Sequence, residues 1–135
     1  MSYPLKKMSG IAPSMTTKLK ALKIRTTTKL LEAAKTAKAR KCLAEQLEIE
    51  EQTVLRWANL VDRMRIKGVR EPYAELLREA GVDTVRELRY RNPEKLAEAM
   101  AAANRRRKLV RLLPSQRLIE RWIEDAKKLD PKISY

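Results

Sequence analysis

The chain contains 135 residues, including 31 Lys or Arg, 17 Asp or Glu, one Cys and no His, and its formal charge is +14. The absence of His excludes His-based nucleophile systems, His-ligated zinc and His-driven pH switching, and a single Cys excludes an internal disulfide or a Cys-rich metal site. Little enzyme chemistry is left, so we expect a non-enzymatic protein without a metal or other cofactor. The positive charge suits an acidic partner such as nucleic acid, an anionic membrane or an acidic protein.

The charge is spread unevenly along the chain. Residues 1–41 carry a net +10, residues 42–104 carry −2 and residues 105–135 carry +6. We therefore expect the anion-binding surface to come from the two ends. No apolar run approaches the roughly 18 residues of a membrane span, and the N-terminal segment is too short and too polar for a signal-peptide core. These features predict a cytoplasmic protein without a membrane partner, associated with the nucleoid if it binds DNA.

Helical periodicity extends over almost the whole chain, and no useful length of it alternates as a strand does. Apolar residues predict one helix over 51–65, where Val54, Trp57 and Val61 share a stripe, and another after Ser115. The other predicted boundaries are a helix stop at Ala80-Gly81 and helix starts at Asp83 or Thr84 and at Asn92-Pro93. We expect an all-α chain of about seven to nine short helices.

The chain also contains an internal repeat at an offset of 58 residues. Each copy reads as Gly and an aliphatic residue, a short helix, another aliphatic residue, a Thr two residues later, and a second short helix. The matching pairs are Gly10-Ile11 and Gly68-Val69, Leu19 and Leu77, Ile24 and Val82, Thr26 and Thr84, and Leu30 and Leu88. The repeat predicts two related halves, 1–67 and 68–135, that form a single compact unit. In this register Lys23 takes the helix-stop position of Gly81.

Residues 64–85 resemble a helix-hairpin-helix unit, in which a Gly-containing hairpin joins two helices and the second helix turns Ala and Leu inward. Such units are found in DNA repair and recombination proteins. A further similarity rests on residues 1–3, 30–36, 40–41, 43–45, 57–59, 64–66, 91–93 and 122–123. It extends over residues 2–135 and is to small bacterial proteins of the domain of unknown function 4332 family. It implies an all-α fold of two tandem helix-hairpin-helix-like repeats packed into one domain, and the family carries no established activity.

The two Gly-containing turns are the first candidates for binding. In helix-hairpin-helix proteins, the Gly-x-Gly turn and the following helix N-terminus direct backbone N–H groups at a DNA phosphate, which positions the protein without reading sequence. Both turns here lack the second Gly, with Ala12 and Arg70 in its place, and Pro72 removes an N–H from the second turn. The alternative is that both turns only connect helices, with Ile11 and Val69 in the core.

Two basic clusters supply the remaining candidates. The first surrounds the first turn and continues through Arg40 and Lys41. The second is an adjacent run at residues 105–108, which cannot lie on one helical face but can wrap a nucleic-acid backbone from a helix end or loop. Each cluster alone is typical of a solvated face, whereas the two together favour nucleic-acid binding. The candidate nucleic-acid-binding residues are Gly10, Ile11, Ala12, Ser14, Thr16, Lys18, Lys20, Lys23, Arg25, Lys67, Gly68, Arg70, Arg105, Arg106, Arg107 and Lys108.

Other conspicuous residues favour structural roles. Trp57 and Trp122 lie on apolar stripes, which favours core packing over a platform for base stacking. Cys42 follows two cations, which is typical of a reactive thiolate. We nevertheless expect Cys42 to be a small, buried apolar residue. The carboxylates within residues 45–51 could suggest a metal site. They are more typical of favourable negative charge at a helix N-terminus and of a solvated helix face.

We therefore expect the protein to bind duplex DNA in preference to RNA, through phosphate contacts with little sequence specificity. Two alternatives stay open: a protein–protein interaction module with an acidic partner, and a basic protein associated with RNA or the ribosome. A small enzyme is the least favoured alternative, because the chain offers no base near neutrality.

Overall fold

The structure is a computed structural model that describes residues 2–135. Over these residues the chain forms eight α-helices and a short 3₁₀ helix, Leu5–Lys7, and no strand. The α-helices are α1 (Pro13–Ala21), α2 (Thr27–Ala33), α3 (Ala37–Leu47), α4 (Glu51–Arg63), α5 (Glu71–Glu79), α6 (Val85–Leu88), α7 (Pro93–Arg107) and α8 (Gln116–Lys128). The predicted all-α class is confirmed.

The chain packs as two compact units. The first extends to Asp62 and also includes Lys132–Tyr135, and the second comprises Arg63–Pro131. The boundaries of these units are set by packing contacts, whereas those of the predicted halves, 1–67 and 68–135, are set by the sequence repeat. A common core for the two halves stays a prediction.

In the first unit, α3 shows how the helices bury one face. Its buried side chains are Arg40, Leu43, Ala44 and Leu47, which is the spacing of a single helical stripe. α1 differs, because Leu19 is the buried residue among its nine. α1 is therefore a surface helix that leaves nearly all of its polar side chains in solvent.

Arg40 is buried despite its charge, with 5% of its surface exposed. Its guanidinium donates hydrogen bonds to the Ala34 carbonyl at 3.0 Å and to the Ser134 carbonyl at 2.7 Å, and it lies 5.7 Å from the ring centroid of Tyr135. The Ser134 N–H in turn donates to the Lys35 carbonyl at 2.8 Å. Arg40 thus joins the C-terminal residues to α3, and its placement in the surface basic cluster is wrong.

The exposure of Cys42 also depends on which face of α3 packs inward. Cys42 is exposed, so the predicted burial of this residue is wrong. It directly precedes Leu43 and Ala44, which face the core. Cys42 points to solvent because, at about 100° per residue, it lies about 100° from Leu43 and about 160° from Ala44 around the helix.

Three helices of the second unit begin where the sequence predicts. At the start of α7, Asn92 Oδ1 accepts a hydrogen bond from the Lys95 N–H at 3.0 Å. At the start of α8, Ser115 Oγ accepts one from the Leu118 N–H at 3.1 Å. Thr84 directly precedes α6, although its side chain makes no capping bond. The predicted starts of these three helices are confirmed.

Both Trp side chains are buried, Trp57 in the first unit and Trp122 in the second. Trp57 lies on the stripe of α4 with Val54 and Val61, which are also buried. The Trp122 ring packs against Tyr73, with 5.4 Å between ring centroids and planes tilted by 58°. The predicted core packing of both Trp residues is confirmed.

The turn after α1 has the hydrogen bonds of a Schellman motif. The Lys23 N–H donates to the Lys20 carbonyl, and the Ile24 N–H donates to the Leu19 carbonyl, each at 2.9 Å. Lys23 has a φ of 64°, in the left-handed region. A residue with a Cβ atom is strained in that region by roughly 1 kcal/mol.

The turn after α5 has the same pattern 58 residues later. The Gly81 N–H donates to the Arg78 carbonyl at 3.0 Å, and the Val82 N–H donates to the Leu77 carbonyl at 2.9 Å. Gly81 has a φ of 96°, and α1 and α5 begin and end at matching positions of the repeat. These local agreements support the repeat register, while the superposition of the two halves stays a prediction.

The left-handed turn at Lys23 yields the first stability prediction. Lys23→Gly should raise the free energy of unfolding by about 1 kcal/mol, because Gly has no Cβ strain in this conformation. The measurement is urea denaturation followed by far-ultraviolet circular dichroism.

Two variants control for effects other than strain. Lys23→Ala removes the same charge but keeps the Cβ atom, so it should bring no comparable gain. Lys20→Gly, inside α1, should lower the free energy of unfolding by about 1 kcal/mol, because Gly is a poor helix former. A loss of stability in Lys23→Gly would contradict the strain argument.

The buried guanidinium of Arg40 yields the second stability prediction. Arg40→Met should lower the free energy of unfolding by about 2 kcal/mol, because two carbonyl groups lose a charged donor. Lys41→Met, at the exposed neighbouring position, should stay within about 0.5 kcal/mol of the parent protein. Equal urea midpoints for the two variants would show that the Arg40 hydrogen bonds do not stabilise the fold.

Candidate functional site

The first unit contains a concave surface that encloses a volume of about 710 Å³. Its lining includes three cations and no acidic residue. We call this surface the basic hollow. Its lining residues are Pro4, Leu5, Lys6, Thr16, Thr17, Lys20, Ile24, Arg25 and Thr26. Lys6, Lys20 and Arg25 supply its charge, and all three are exposed. Three cations around one concavity form a surface that attracts an anion.

Backbone pairing brings Lys6 to the other two cations. The Leu5 N–H donates to the Arg25 carbonyl at 2.9 Å, and the Thr27 N–H donates to the Tyr3 carbonyl at 2.9 Å. The Tyr3 N–H also donates to Thr27 Oγ1 at 3.0 Å. Residues 3–5 are thereby held antiparallel to residues 25–27, so Lys6 stands beside the segment that carries Arg25.

α1 supplies the opposite side of the basic hollow. Thr16 and Lys20 are four residues apart and therefore share one helical face. The hydroxyls of Thr16 and Thr17 both donate to the Pro13 carbonyl, at 2.8 and 3.1 Å. Because those two donors are already used, Lys6, Lys20 and Arg25 are the charged donors available to an anion here.

The segment around the basic hollow keeps most of its positive charge unpaired. Its one acidic residue, Glu32, lies 3.1 Å from Lys35, and the hydrogen bond and positive charge of Lys35 lower the pKa of that carboxyl. With Lys35 paired and Arg40 buried, the described part of residues 1–41 keeps nine exposed cations without an ion pair. They are Lys6, Lys7, Lys18, Lys20, Lys23, Arg25, Lys29, Lys38 and Lys41.

The predicted site residues of the first unit divide into two groups. Thr16, Lys20 and Arg25 are brought together at the basic hollow, whereas Lys18 and Lys23 are exposed but do not line it. Lys6, Thr17 and Thr26 were missed by the sequence analysis. The pairing of residues 3–5 with 25–27 is non-local, and nothing in the local sequence signals it.

The first Gly-containing turn lies outside the basic hollow. Ile11 is 1% exposed and belongs to the core, while Gly10, Ala12 and Ser14 are exposed. Ala12 precedes α1 without a capping side chain, and its carbonyl accepts the N–H groups at 15 and 16. Gly10 does not have the positive φ of Gly68, so the two turns differ in conformation.

The second Gly-containing turn lies in the second unit, next to a hollow of about 360 Å³. Gly68 and Arg70 line this hollow, Val69 is buried, and Lys67 is exposed outside it. Gly68 has a φ of 87°, which explains why Gly is suited to this position. The loop at 109–112 completes the hollow and adds the cation Arg111.

The basic run at 105–107 forms the last turn of α7, and Lys108 follows it as a cap with a φ of 49°. All four side chains are exposed. Arg107 pairs with Glu79 at 2.9 Å. Cations at a helix C-terminus interact favourably with the helix dipole, so this cluster has a structural role even without an anionic ligand.

The described residues offer no assembled metal site, since no three His, Cys, Asp or Glu side chains within 2–135 lie close enough to hold an ion. Over the same residues, no helix is both long and apolar enough to cross a membrane.

Comparison with known proteins gives the family of the chain. The family model described as Domain of unknown function (DUF4332) matches residues 9–129. Neither the curated proteins nor the solved structures provide a match. The match extends from the turn before α1 to the residue after α8 and so covers most of both compact units. The chain therefore belongs to the DUF4332 family.

Proposed function

We propose that this protein binds nucleic acid, with duplex DNA as the preferred form, and that it is a binding protein rather than an enzyme. The observation that carries the proposal is the basic hollow, where Lys6, Lys20 and Arg25 surround one concavity without an acidic residue. Phosphate groups are the anions that a nucleic acid presents at regular spacing, and Lys and Arg are the side chains that bind them. Such a role implies a cytoplasmic protein associated with the nucleoid.

The charge around the basic hollow supports a polyanion rather than a single small anion. Nine exposed cations without ion pairs lie within the first 41 residues. α1 buries a single side chain, so its surface is available to a partner. An extended phosphate backbone can engage several of these cations at once, and each contact releases bound counterions.

The lack of aromatic side chains in the basic hollow supports a duplex over a single strand. None of its lining residues is aromatic, and single-strand recognition commonly uses aromatic side chains on which bases stack. Lys and Arg contacts to phosphates carry no sequence information. We therefore propose low sequence specificity.

Charge substitution in the basic hollow tests the proposal. The triple variant Lys6→Ser, Lys20→Ser and Arg25→Ser should weaken duplex DNA binding and reduce the slope of log affinity against log salt concentration by about 2 to 3, because each phosphate contact contributes about 0.9. Fluorescence anisotropy titrations of a labelled duplex at several salt concentrations measure both quantities.

A second triple variant separates the basic hollow from net charge. Lys7→Ser, Lys38→Ser and Lys41→Ser remove the same charge from exposed positions of the first unit that do not line the hollow, and should reduce affinity and slope less. Equal losses in the two variants would show that binding depends on the net charge of the protein and not on the basic hollow.

The form of nucleic acid is tested with two unrelated DNA duplexes, a single-stranded DNA and an RNA duplex of equal length. We expect similar affinity for the two DNA duplexes and weaker binding to the others. Salt-insensitive binding would refute phosphate recognition, and a strong preference for one DNA duplex would indicate a base-reading element.

A further inference from the structure

The second unit presents two neighbouring leucines to solvent. Leu112 is 77% exposed and Leu113 is 40% exposed. They lie in the segment between α7 and α8, directly after the cation Arg111. Adjacent large apolar side chains in water are unfavourable, and exposed apolar patches rimmed by polar groups mark interaction sites.

Hydrogen bonds hold this leucine-bearing segment in place. Asn104 clamps Val110, since its Nδ2 donates to the Val110 carbonyl and its Oδ1 accepts the Val110 N–H, each at 3.0 Å. The Tyr73 hydroxyl donates to the Leu112 carbonyl at 3.0 Å. The exposed leucines are therefore part of a fixed backbone conformation.

The fixed segment forms one wall of the hollow of about 360 Å³ in the second unit, which we call the leucine hollow. Leu109, Val110 and Leu112 give it an apolar wall, and Arg70 and Arg111 give it positive charge. The exposed cations at 105, 106 and 108 precede this wall in sequence. Apolar surface and positive charge thus occur together.

A buried donor lies behind the leucine hollow. Trp122 is fully buried, and its Nε1 has no hydrogen-bond partner among residues 2–135. This nitrogen lies 3.7 Å from the position that a Cβ atom of Gly68 would occupy, and Gly68 lines the hollow. A buried N–H without an acceptor is uncommon in folded proteins.

We infer that the leucine hollow binds a segment of a partner protein that carries both acidic and large apolar side chains. Carboxylates of the segment pair with Arg111, and its apolar side chain covers Leu112. The positive charge of the leucine hollow favours a negatively charged segment. The exposed leucines favour a segment that also carries apolar side chains. A nucleic-acid backbone supplies the negative charge but no side chain for the leucines, so this site is independent of the proposed DNA binding.

Three fluorescein-labelled peptides rich in Ser and Gly test the inference. The first contains several Glu and a pair of Leu, the second replaces the Leu residues by Ser, and the third replaces the Glu residues by Gln. Anisotropy titrations with the full chain should give an affinity for the first peptide about tenfold higher than for either other peptide, a difference of about 1.4 kcal/mol. Equal affinity for the first and second peptides would overturn the inference, because charge alone would then explain binding.

A matched pair of variants locates the site. Arg111→Ser with Leu112→Ser should lower the affinity for the first peptide about tenfold, corresponding to about 1.4 kcal/mol. Arg117→Ser with Leu22→Ser removes the same residue types from exposed positions elsewhere and should leave that affinity unchanged. Circular dichroism checks the fold of both variants, and unchanged peptide binding in the first variant would overturn the inference.

The same variants separate this site from the basic hollow. The Lys6, Lys20 and Arg25 triple variant should retain affinity for the first peptide, and the Arg111 and Leu112 double variant should retain most of its affinity for duplex DNA. A large loss of DNA binding in the double variant would assign the leucine hollow to nucleic acid. Self-association of the parent chain in analytical ultracentrifugation that disappears in the double variant would assign it to a second copy of the chain. Either result overturns the inference.

Discussion

Two backbone hydrogen bonds hold the basic hollow together, one from the Leu5 N–H to the Arg25 carbonyl and one from the Thr27 N–H to the Tyr3 carbonyl. They hold Lys6 near Arg25 although the two residues are far apart in sequence. Cations held close together repel one another, so the pairing maintains an arrangement that the charges oppose. An anion bound between the cations would relieve that repulsion, which links the backbone pairing to the proposed function.

The turns after α1 and α5, which match in the predicted repeat, have the same conformation but different residues at the left-handed position. After α5 the left-handed position is Gly81, which suits that conformation, and after α1 it is Lys23, which does not. The hydrogen bonds of the turn are nevertheless the same. The first copy therefore combines a strained backbone with an additional positive charge, in the same unit as the basic hollow. The second copy has the unstrained residue.

The features predicted from the sequence are those set by local interactions. Periodicity indicated the helices, and the side chains of Asn92 and Ser115 indicated two helix starts, because a cap bonds to an N–H three residues away. Arg40 and Cys42 were misplaced because burial on α3 depends on which face packs inward. Lys6 was missed because its neighbours come from a distant segment. Thr16, Lys20 and Arg25 were predicted from charge and position, but their assembly into one concavity required the structure.

The return of Lys132–Tyr135 to the first unit has a consequence for biosynthesis. Arg40 and Ser134 are 94 positions apart, and the hydrogen bond between them cannot form until the residues that separate them have been made. During translation, all of the second unit precedes the residues that complete the first. The nascent N-terminal segment, which has the highest charge, therefore leaves the ribosome with the guanidinium of Arg40 still lacking its C-terminal acceptor. Contacts between residues so far apart in sequence also slow folding, so we expect the contacts of Lys132–Tyr135 with the first unit to form late.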